Sequence, residues 1–401
     1  MIKQVELLAP VGDEICLQAA IQGGARAVYF GLDGLNMRVV SRNFTTGELP
    51  DISARCHDAG VRCYLAMNTI VFQAEVTRVY QALDKARDYV DAVICWDHAI
   101  MDACRERDIP IHISTQASVA NLGALRFYQR LGATRIVPAR ECTLEDLAAM
   151  KAAAPEMELE VFAHGAMCVS ESGRCYMSEH THGRSANRGA CVQNCRRTYE
   201  VRDVDEGHRF VIQNGTIMSA LDLCTLPFLD QVIAAGVDSL KLEGRARNPE
   251  YVQTVTRAYR RALDALAEGQ FTDDLKEQLM ADLRSVFNRG FSEGFYFGRP
   301  ITSFTQAQKN QATTSKRYVG RVTNFFSRLK VAEINLEAGP LSVGNTLMIQ
   351  GPTSGVVTQT VEKLLQDEIS VEGPVRGSVT TQMSDRVRIG DRAYVLEAVA
   401  E

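Results

Sequence analysis

The sequence lacks the features that mark membrane-spanning, secreted and repetitive proteins. No apolar run approaches the roughly 18 residues that a membrane-spanning helix needs, and we see no internal repeat or low-complexity tract. The opening segment, MIKQVELLAP, has neither the apolar core nor the small-residue cleavage site of a signal peptide. We therefore expect a cytoplasmic protein with no membrane partner.

Two further absences narrow the function. The HExxH motif of metallopeptidases does not occur. The net charge of −5 gives no global attraction to nucleic acid, so any RNA binding requires a local basic patch. Cysteine, in contrast, is plentiful: 11 residues, in a compartment where disulfides rarely persist. The odd count also argues against a complete disulfide framework.

Short apolar runs alternate with amphipathic helical stretches through the first 250 residues. Near-continuously apolar strands, each followed by a helix, indicate a parallel sheet that is covered on both faces. Eight such strands close a (β/α) TIM-like barrel, although an open doubly wound sheet would show the same local pattern. The predicted strands are VELLAP (5–10), AVYFGL (27–32), CYLAMN (63–68), AVICWD (92–97), IHISTQ (111–116), RIVPAR (135–140), LEVFAHG (159–165) and SLKLEGR (239–245).

The spacing of these strands predicts the domain organisation. Strands 7 and 8 are separated by 73 residues, so we predict an insertion at about 166–215, after strand 7. It begins at the C-terminal end of that strand, where barrel enzymes place their active sites. Near residue 317 the pattern changes to five or six short strands with Gly-rich turns, which predicts a small β-barrel. The predicted domains are a barrel at 1–310 and a β-barrel at 317–401.

Four cysteines fall within the segment CVSESGRCYMSEHTHGRSANRGACVQNC (168–195), spaced Cys-x6-Cys-x15-Cys-x3-Cys. A loop rich in Gly, Ser, Arg and Asn allows four thiolates to converge, and four thiolates suit zinc or an iron–sulfur cluster. Structural zinc sites often use the short spacing C-x2-C, which this segment lacks. The spacing favours iron–sulfur, with zinc and unligated thiols as alternatives. The predicted ligands are Cys168, Cys175, Cys191 and Cys195.

Polar residues end several of the apolar strands, where they are unsuited to a core. They lie on the expected active face of the barrel, so we predict that they line one mouth. His164 and Glu243 are the catalytic candidates, although His164 could equally hydrogen-bond a loop carbonyl. The predicted substrate-binding residues are Arg38, Arg42, Asn68, Gln116, Arg140 and Arg245.

Arginines concentrate in the cysteine-rich segment, with no acidic residue between positions 184 and 197. Such a patch can contact phosphates or hold a dicarboxylate by paired hydrogen bonds. A solvated loop, or arginines that offset a cluster's negative charge, would give the same composition. The predicted RNA-binding residues are Arg184, Arg188, Arg196 and Arg197.

Several segments together resemble family U32 of the collagenase-like peptidases, and within it the members that hydroxylate the wobble uridine of tRNA using prephenate. The β-rich C-terminal region resembles a domain that many members append. The matching segments are ELLAPVGD (6–13), AVYFG (27–31), NMRVVSRNF (36–44), STQASVAN (114–121), VPARE (137–141), EVFAHGAMC (160–168), SGRCYMS (172–178), NRGAC (187–191), CR (195–196) and SLKLEGR (239–245).

The resemblance implies a 4Fe-4S cluster on the four cysteines, with Cys224 a less suitable fourth ligand than Cys195. It implies tRNA as the substrate, prephenate as the co-substrate held by arginines, and a β-domain that helps to dock RNA. Other members act on rRNA cytidine or in anaerobic quinone synthesis, and the latter usually lack the appended domain. A peptidase, as the family name says, and a non-catalytic RNA-binding iron–sulfur protein remain alternatives. The oligomeric state is not indicated.

Overall fold

The computed structural model describes residues 4–37, 42–199, 201–202, 204–207, 209–210, 218–244, 246–300, 305 and 310–399. Two of the predicted binding residues, Arg38 and Arg245, lie outside this set. No helix in the described ranges is both long and apolar enough to cross a membrane.

Seven parallel strands begin the chain, and each pairs with the next. Almost every residue in them is buried, as expected for strands with helices on one side and the barrel interior on the other. The strands are β1 (Glu6–Pro10), β2 (Ala27–Gly31), β3 (Arg62–Ala66), β4 (Ala92–Cys95), β5 (Ile111–Ile113), β6 (Ala133–Ile136) and β7 (Glu158–Ala166).

Helices join these strands and cover the outside of the barrel. In the third helix the buried residues Val79, Ala82, Leu83 and Ala86 recur at three- and four-residue spacing, so one stripe faces the sheet. The helices are α1 (Glu14–Gln22), α2 (Leu49–Asp58), α3 (Val76–Ala86), α4 (His98–Arg105), α5 (Leu122–Arg130) and α6 (Leu144–Ala153).

The cysteine-rich segment after β7 is built from short elements. It contains α7 (Met177–His182) and three 3-10 turns, at Glu171–Gly173, Ala186–Arg188 and Asn194–Arg196. A two-stranded hairpin of β8 (Val201–Arg202) and β9 (Arg209–Phe210) follows. The chain then returns to the barrel as β10 (Asp222–Cys224), which runs antiparallel to β7. The predicted insertion after strand 7 is therefore present.

The eighth barrel strand, β11 (Ser239–Leu242), follows α8 (Leu229–Ala234) and pairs in parallel with both β7 and β1. This double pairing closes the barrel, so the predicted TIM-like fold is confirmed. The chain continues through α9 (Pro249–Glu268), α10 (Asp273–Ser285) and the short strand β12 (Phe291–Ser292), which pairs with β10.

An ion network occupies the N-terminal half of the barrel interior. Arg135, only 1% exposed, lies 2.5 Å from Glu6 and 3.0 Å from Glu160. Glu160 also accepts from Lys241 at 2.8 Å. Burial would raise the pKa of Glu160, but Lys241 and Arg135 together hold it below the ordinary value. The network therefore keeps Glu160 ionised and fixes the position of Lys241. Glu243 follows Lys241 in the chain and lies nearer the C-terminal end of the barrel.

The C-terminal region forms one antiparallel sheet of eight strands around its own apolar core. It has more strands than the five or six predicted, and its outer strands, β16 and β18, do not pair with each other in the described part of the chain. The strands are β13 (Thr314–Phe326), β14 (Val331–Leu341), β15 (Thr346–Gly351), β16 (Gly355–Thr360), β17 (Leu364–Gln366), β18 (Ile369–Val371), β19 (Val375–Gln382) and β20 (Arg392–Ala398).

The two domains pack tightly against each other. Met348 and Val356 of the sheet belong to the apolar core of the barrel domain. The Gln22 side chain, at the end of α1, donates to the Ser354 carbonyl at 2.8 Å and accepts from the Val356 amide at 3.0 Å. These contacts fix the C-terminal domain on the α1–α9 side of the barrel.

Candidate functional site

A cavity of about 160 Å³ lies at the C-terminal end of the barrel strands. All four predicted ligand cysteines line it, together with polar residues that end the strands, as predicted for the barrel mouth. The residues that line it and are used below are Tyr29, Asn68, Ser114, Gln116, Arg140, Phe162, Met167, Cys168, Cys175, Cys191, Cys195, Arg196, Lys241, Glu243 and Arg289.

Backbone amides point at three of the four cysteine sulfurs. Cys168, Cys175 and Cys191 each accept a hydrogen bond, at 3.4 Å, from the amide two residues further along the chain. The last of these donors is Gln193, whose backbone is left-handed (φ 56°). Amide donors of this kind stabilise the negative charge of a thiolate and tune the potential of an iron–sulfur cluster. The loop is therefore folded around thiolates as acceptors.

The spacing of the sulfurs indicates the size of the group that they fit. Among the described residues, only His57, Cys63 and Asp91 form a group of three or more with all ligand atoms within 4.8 Å of one another. The thiolates of a tetrahedral zinc site lie roughly 3.8 Å apart, from a Zn–S bond of about 2.3 Å. The four cysteines are thus more widely spaced than one ion requires. An iron–sulfur cluster in which each thiolate binds a different iron holds its thiolates further apart.

Cys195 is electrostatically coupled to the other three cysteines. Burial raises the pKa of its thiol, Arg196 opposes this, and Cys168, Cys191 and Cys175 raise the pKa further. Mutual repulsion among thiolates in one pocket disappears when they share a cationic group. The donor set therefore fits a cluster.

Amide side chains and a carboxylate form the polar rim of the cavity. Asn68 donates to Ser114 and to Gln116, both at 3.3 Å, and Ser114 also donates to Gln116. Glu243 accepts from the Tyr29 hydroxyl at 3.2 Å and is 9% exposed. With Arg140, the structure thus brings together four of the predicted catalytic and substrate-binding residues, the other three being Asn68, Gln116 and Glu243.

Two of the four cationic residues that line the cavity contact aromatic rings that also line it. The guanidinium of Arg140 stacks on Phe162 at 3.8 Å and donates to the Ala166 carbonyl at 2.9 Å. Lys241 is 5% exposed, and its ammonium lies 4.5 Å from the centre of the Tyr29 ring. Both cations lie near the Phe162 ring, so the cavity lining carries positive charge that suits an anionic small molecule.

His164, predicted as catalytic, is not among the residues that line the cavity. Its ring packs instead 5.4–6.1 Å from the rings of Tyr251, Tyr259 and Phe291. Burial lowers its pKa to about 3. The register of β7 and β11 shifts by one residue here, and the left-handed Gly165 (φ 109°) follows. This bulge turns the imidazole away from the cysteines, so the geometry does not support a direct catalytic role.

The four arginines predicted to bind RNA divide into two pairs. Arg188 forms an ion pair with Glu75 at 2.5 Å, and Arg196 donates to the Met167 carbonyl at 2.6 Å. Both therefore hold the cysteine-rich loop to the barrel. Arg184 and Arg197 are exposed, so RNA could reach both side chains. Their role in RNA binding stays a prediction.

Arg42 also lies apart from the cavity. It is exposed and pairs with Asp13 at 3.2 Å, and its role in substrate binding stays a prediction. Cys224 is buried in β10 beside the Tyr259 hydroxyl at 3.8 Å, and burial raises its pKa to about 11. It does not line the cavity that the other four cysteines share.

Lys241 and Arg289, two cationic residues of the cavity, were not predicted, and Arg174 was indicated only as part of the arginine-rich segment. Lys241 was detectable, because strand alternation in SLKLEGR places it on the same face as Glu243. Arg174, which donates to Ser118 at 3.0 Å and stacks on Trp96 at 5.3 Å, lies in the cysteine loop. Arg289 follows α10, outside the alternating barrel pattern, and has no signal in the sequence.

Comparisons with known proteins agree with this architecture. The model of Peptidase family U32 matches residues 12–306. A protein named collagenase from Porphyromonas gingivalis is 40% identical, over 98% of this chain and 98% of its own length. The tRNA hydroxylation protein P of Helicobacter pylori is 34% identical, over 79% of this chain and 76% of its own length. A 23S rRNA 5-hydroxycytidine synthase of Escherichia coli is 33% identical, over 92% of this chain and 56% of its own length.

Proposed function

Because this chain belongs to peptidase family U32, and its cysteines share a cavity with the barrel mouth, we propose that it is an RNA hydroxylase. Its substrate is the wobble uridine of tRNA, which it converts to 5-hydroxyuridine with prephenate as co-substrate and a 4Fe-4S cluster as cofactor. The observation that carries the proposal is the cavity itself: four thiolates and several substrate-binding groups line one space.

In this proposal Cys168, Cys175, Cys191 and Cys195 hold the cluster, and the amide donors to three of the sulfurs stabilise it. The bound cluster would supply electron transfer or a Lewis-acidic iron next to the substrate.

The other residues of the cavity bind and orient the substrates. Prephenate is a dicarboxylate, and Arg140 and Lys241 place two positive charges in the cavity to receive it. Asn68 and Ser114 donate to the Gln116 side-chain oxygen and so orient this amide, whose NH2 group can donate to the edge of a base. Glu243, held by the Tyr29 hydroxyl, is in position to accept a proton within the cavity.

Relatives support RNA as the substrate class, because the names of two of them refer to the hydroxylation of tRNA or of rRNA. The rRNA cytidine remains a second candidate on the strength of the Escherichia coli relative. We place tRNA first because the tRNA hydroxylation protein matches over a larger share of its own length, 76% against 56%.

Proteolysis is the third candidate, since a 40% identical relative is named collagenase. The segment GFSEG (290–294) matches the Gly-x-Ser-x-Gly pattern, but Ser292 ends the two-residue strand β12 and a turn follows instead of a helix. That context differs from the nucleophile elbow of a hydrolase. The described lining of the cysteine cavity contains no histidine to activate a thiol. The site therefore offers little to a peptidase mechanism.

Nucleoside mass spectrometry of tRNA and rRNA from a deletion strain tests the proposal. We expect 5-hydroxyuridine-derived nucleosides to be lost or reduced, and a block in prephenate synthesis to have the same effect. Unchanged wobble uridines in a strain without a paralogue would refute the tRNA assignment. A loss of rRNA 5-hydroxycytidine in that strain would support the second candidate instead.

A further inference from the structure

Two arginines that the proposed function does not use contact the same aromatic ring. The guanidinium of Arg247 is 3.6 Å from the centre of the Phe287 ring, and that of Arg289 is 4.9 Å from it. Arg289 lines the cysteine cavity. Arg247 lines a groove of about 690 Å³ between the barrel domain and the C-terminal sheet. The pair therefore stands where the groove meets the cavity.

The charges of this pair are incompletely balanced. Arg289 forms an ion pair with the buried Asp222 at 3.3 Å. No hydrogen bond or ion pair reaches the half-buried guanidinium of Arg247 from any residue that the structure describes. Burial lowers the pKa of Arg247, with Arg289 adding to the effect, and the same two causes lower the pKa of Arg196. Crowded guanidinium groups with one carboxylate in contact are what an anion-binding site requires.

The surroundings favour a phosphate of RNA over a small free anion. Arg247 lines the larger groove and not the cysteine cavity, and the exposed Arg257 lies in the same groove. Two acidic residues of the groove, Glu250 and Asp282, are paired with Lys316 and Arg261. A base enters such a cavity only after leaving its stack, so its phosphates stay outside, at the mouth. Arg247 also follows the eighth barrel strand, β11, a position at which barrel enzymes frequently bind phosphate.

We propose that Arg247 and Arg289 hold a phosphodiester of a single RNA strand that runs along the interdomain groove and delivers one nucleotide to the cysteine cavity. The inference rests on the proposed RNA-modifying function and adds the path of the strand. It also implies that the C-terminal domain contacts the RNA strand, since that domain forms one wall of the groove.

Binding of an unmodified anticodon stem-loop to the holoprotein, measured from about 50 to 200 mM salt, tests the proposal. Arg247→Met keeps the apolar stem on Phe287 and removes the charge. We expect affinity at low salt to fall about tenfold, and the slope of log affinity against log salt to decrease by about 0.7, the value for one phosphate contact on a single strand. Arg247→Lys should restore most of the slope. Arg105→Ala, which changes an exposed residue of α4, is the control and should behave as the wild type.

A second arm identifies the phosphate. Stem-loops with one uncharged methylphosphonate linkage at successive positions should lose affinity at one position for the wild type and not for Arg247→Met. Unchanged affinity and salt slope in an Arg247→Met protein that retains its metal would overturn the inference. So would a raised KM for prephenate with unchanged RNA binding, because the site would then serve a small carboxylate. If the wild type itself neither bound nor modified RNA, the proposed function would fail together with the inference.

Discussion

Glu160 in the floor of the barrel is the residue whose replacement best tests the buried ion network. Glu160 is fully buried and contacts two cations, Lys241 at 2.8 Å and Arg135 at 3.0 Å. Glu160→Gln keeps the shape but leaves both cations without this carboxylate. Removing one partner of a buried pair costs roughly 3–5 kcal/mol. At about 2 °C per kcal/mol for a large domain, the Tm should fall by about 6–10 °C.

Glu158→Gln is a matched control. Glu158 contacts the same arginine, Arg135, at 2.7 Å, but its side chain is 44% exposed. Exposed ion pairs contribute about 1 kcal/mol or less, so this variant should lose about 2 °C or less. Thermal unfolding of both holoproteins at one scan rate, followed by circular dichroism, measures the difference. Equal losses for the two variants, or no loss for Glu160→Gln, would refute the reasoning.

Three more predictions concern other parts of the molecule. His164 should make the protein less stable in acid: its pKa is about 3 when folded and 6.5 when unfolded, so the free energy of unfolding falls by up to about 1.4 kcal/mol per pH unit as the pH drops between these values. In urea titrations from pH 7 to pH 4, His164→Phe should reduce that slope, and an unchanged slope would contradict the assigned burial. Gln22→Ala leaves the Val356 amide without this acceptor at the domain interface. The free energy of unfolding should therefore fall by about 2 kcal/mol, and limited proteolysis should be faster; a wild-type proteolysis rate would refute this. Arg140→Lys loses the stacked planar group, so the KM for prephenate should rise about tenfold, equivalent to about 1.4 kcal/mol, with iron content unchanged; loss of iron would instead show that Arg140 supports the cluster.

The barrel was predictable because its signal is local. Strands buried on both sides are apolar along most of their length, and all eight runs were visible for that reason. Strand β19, which the sequence pattern did not indicate, shows the limit of such reasoning. Its sequence, VRGSVTTQ, is largely polar and contains the left-handed Gly377 (φ 82°), so the segment resembles a turn. It becomes a strand because β14 and β17 supply hydrogen-bond partners on both sides.

The cysteines were predictable as a group, but the directions of individual side chains were not. Counting alternate residues from Phe162 would place His164 in the barrel interior, and only the pairing with β11 reveals the bulge that turns it away. Likewise, Arg188 reads as part of a free basic patch until the fold brings it to Glu75, 113 positions earlier in the chain. Contacts between residues so far apart in the sequence form only in the folded barrel, so local composition does not indicate them.

Metal analysis of the protein purified without oxygen tests the central claim most directly. We expect a brown protein with the iron and acid-labile sulfide of one 4Fe-4S cluster per chain. Replacing Cys168, Cys175, Cys191 or Cys195 by Ala should abolish both, while Cys224→Ala, which alters a thiol outside the cavity, should retain them. A colourless protein with one zinc per chain would contradict the account. A cluster that survived Cys195→Ala but not Cys224→Ala would contradict the assigned ligand set.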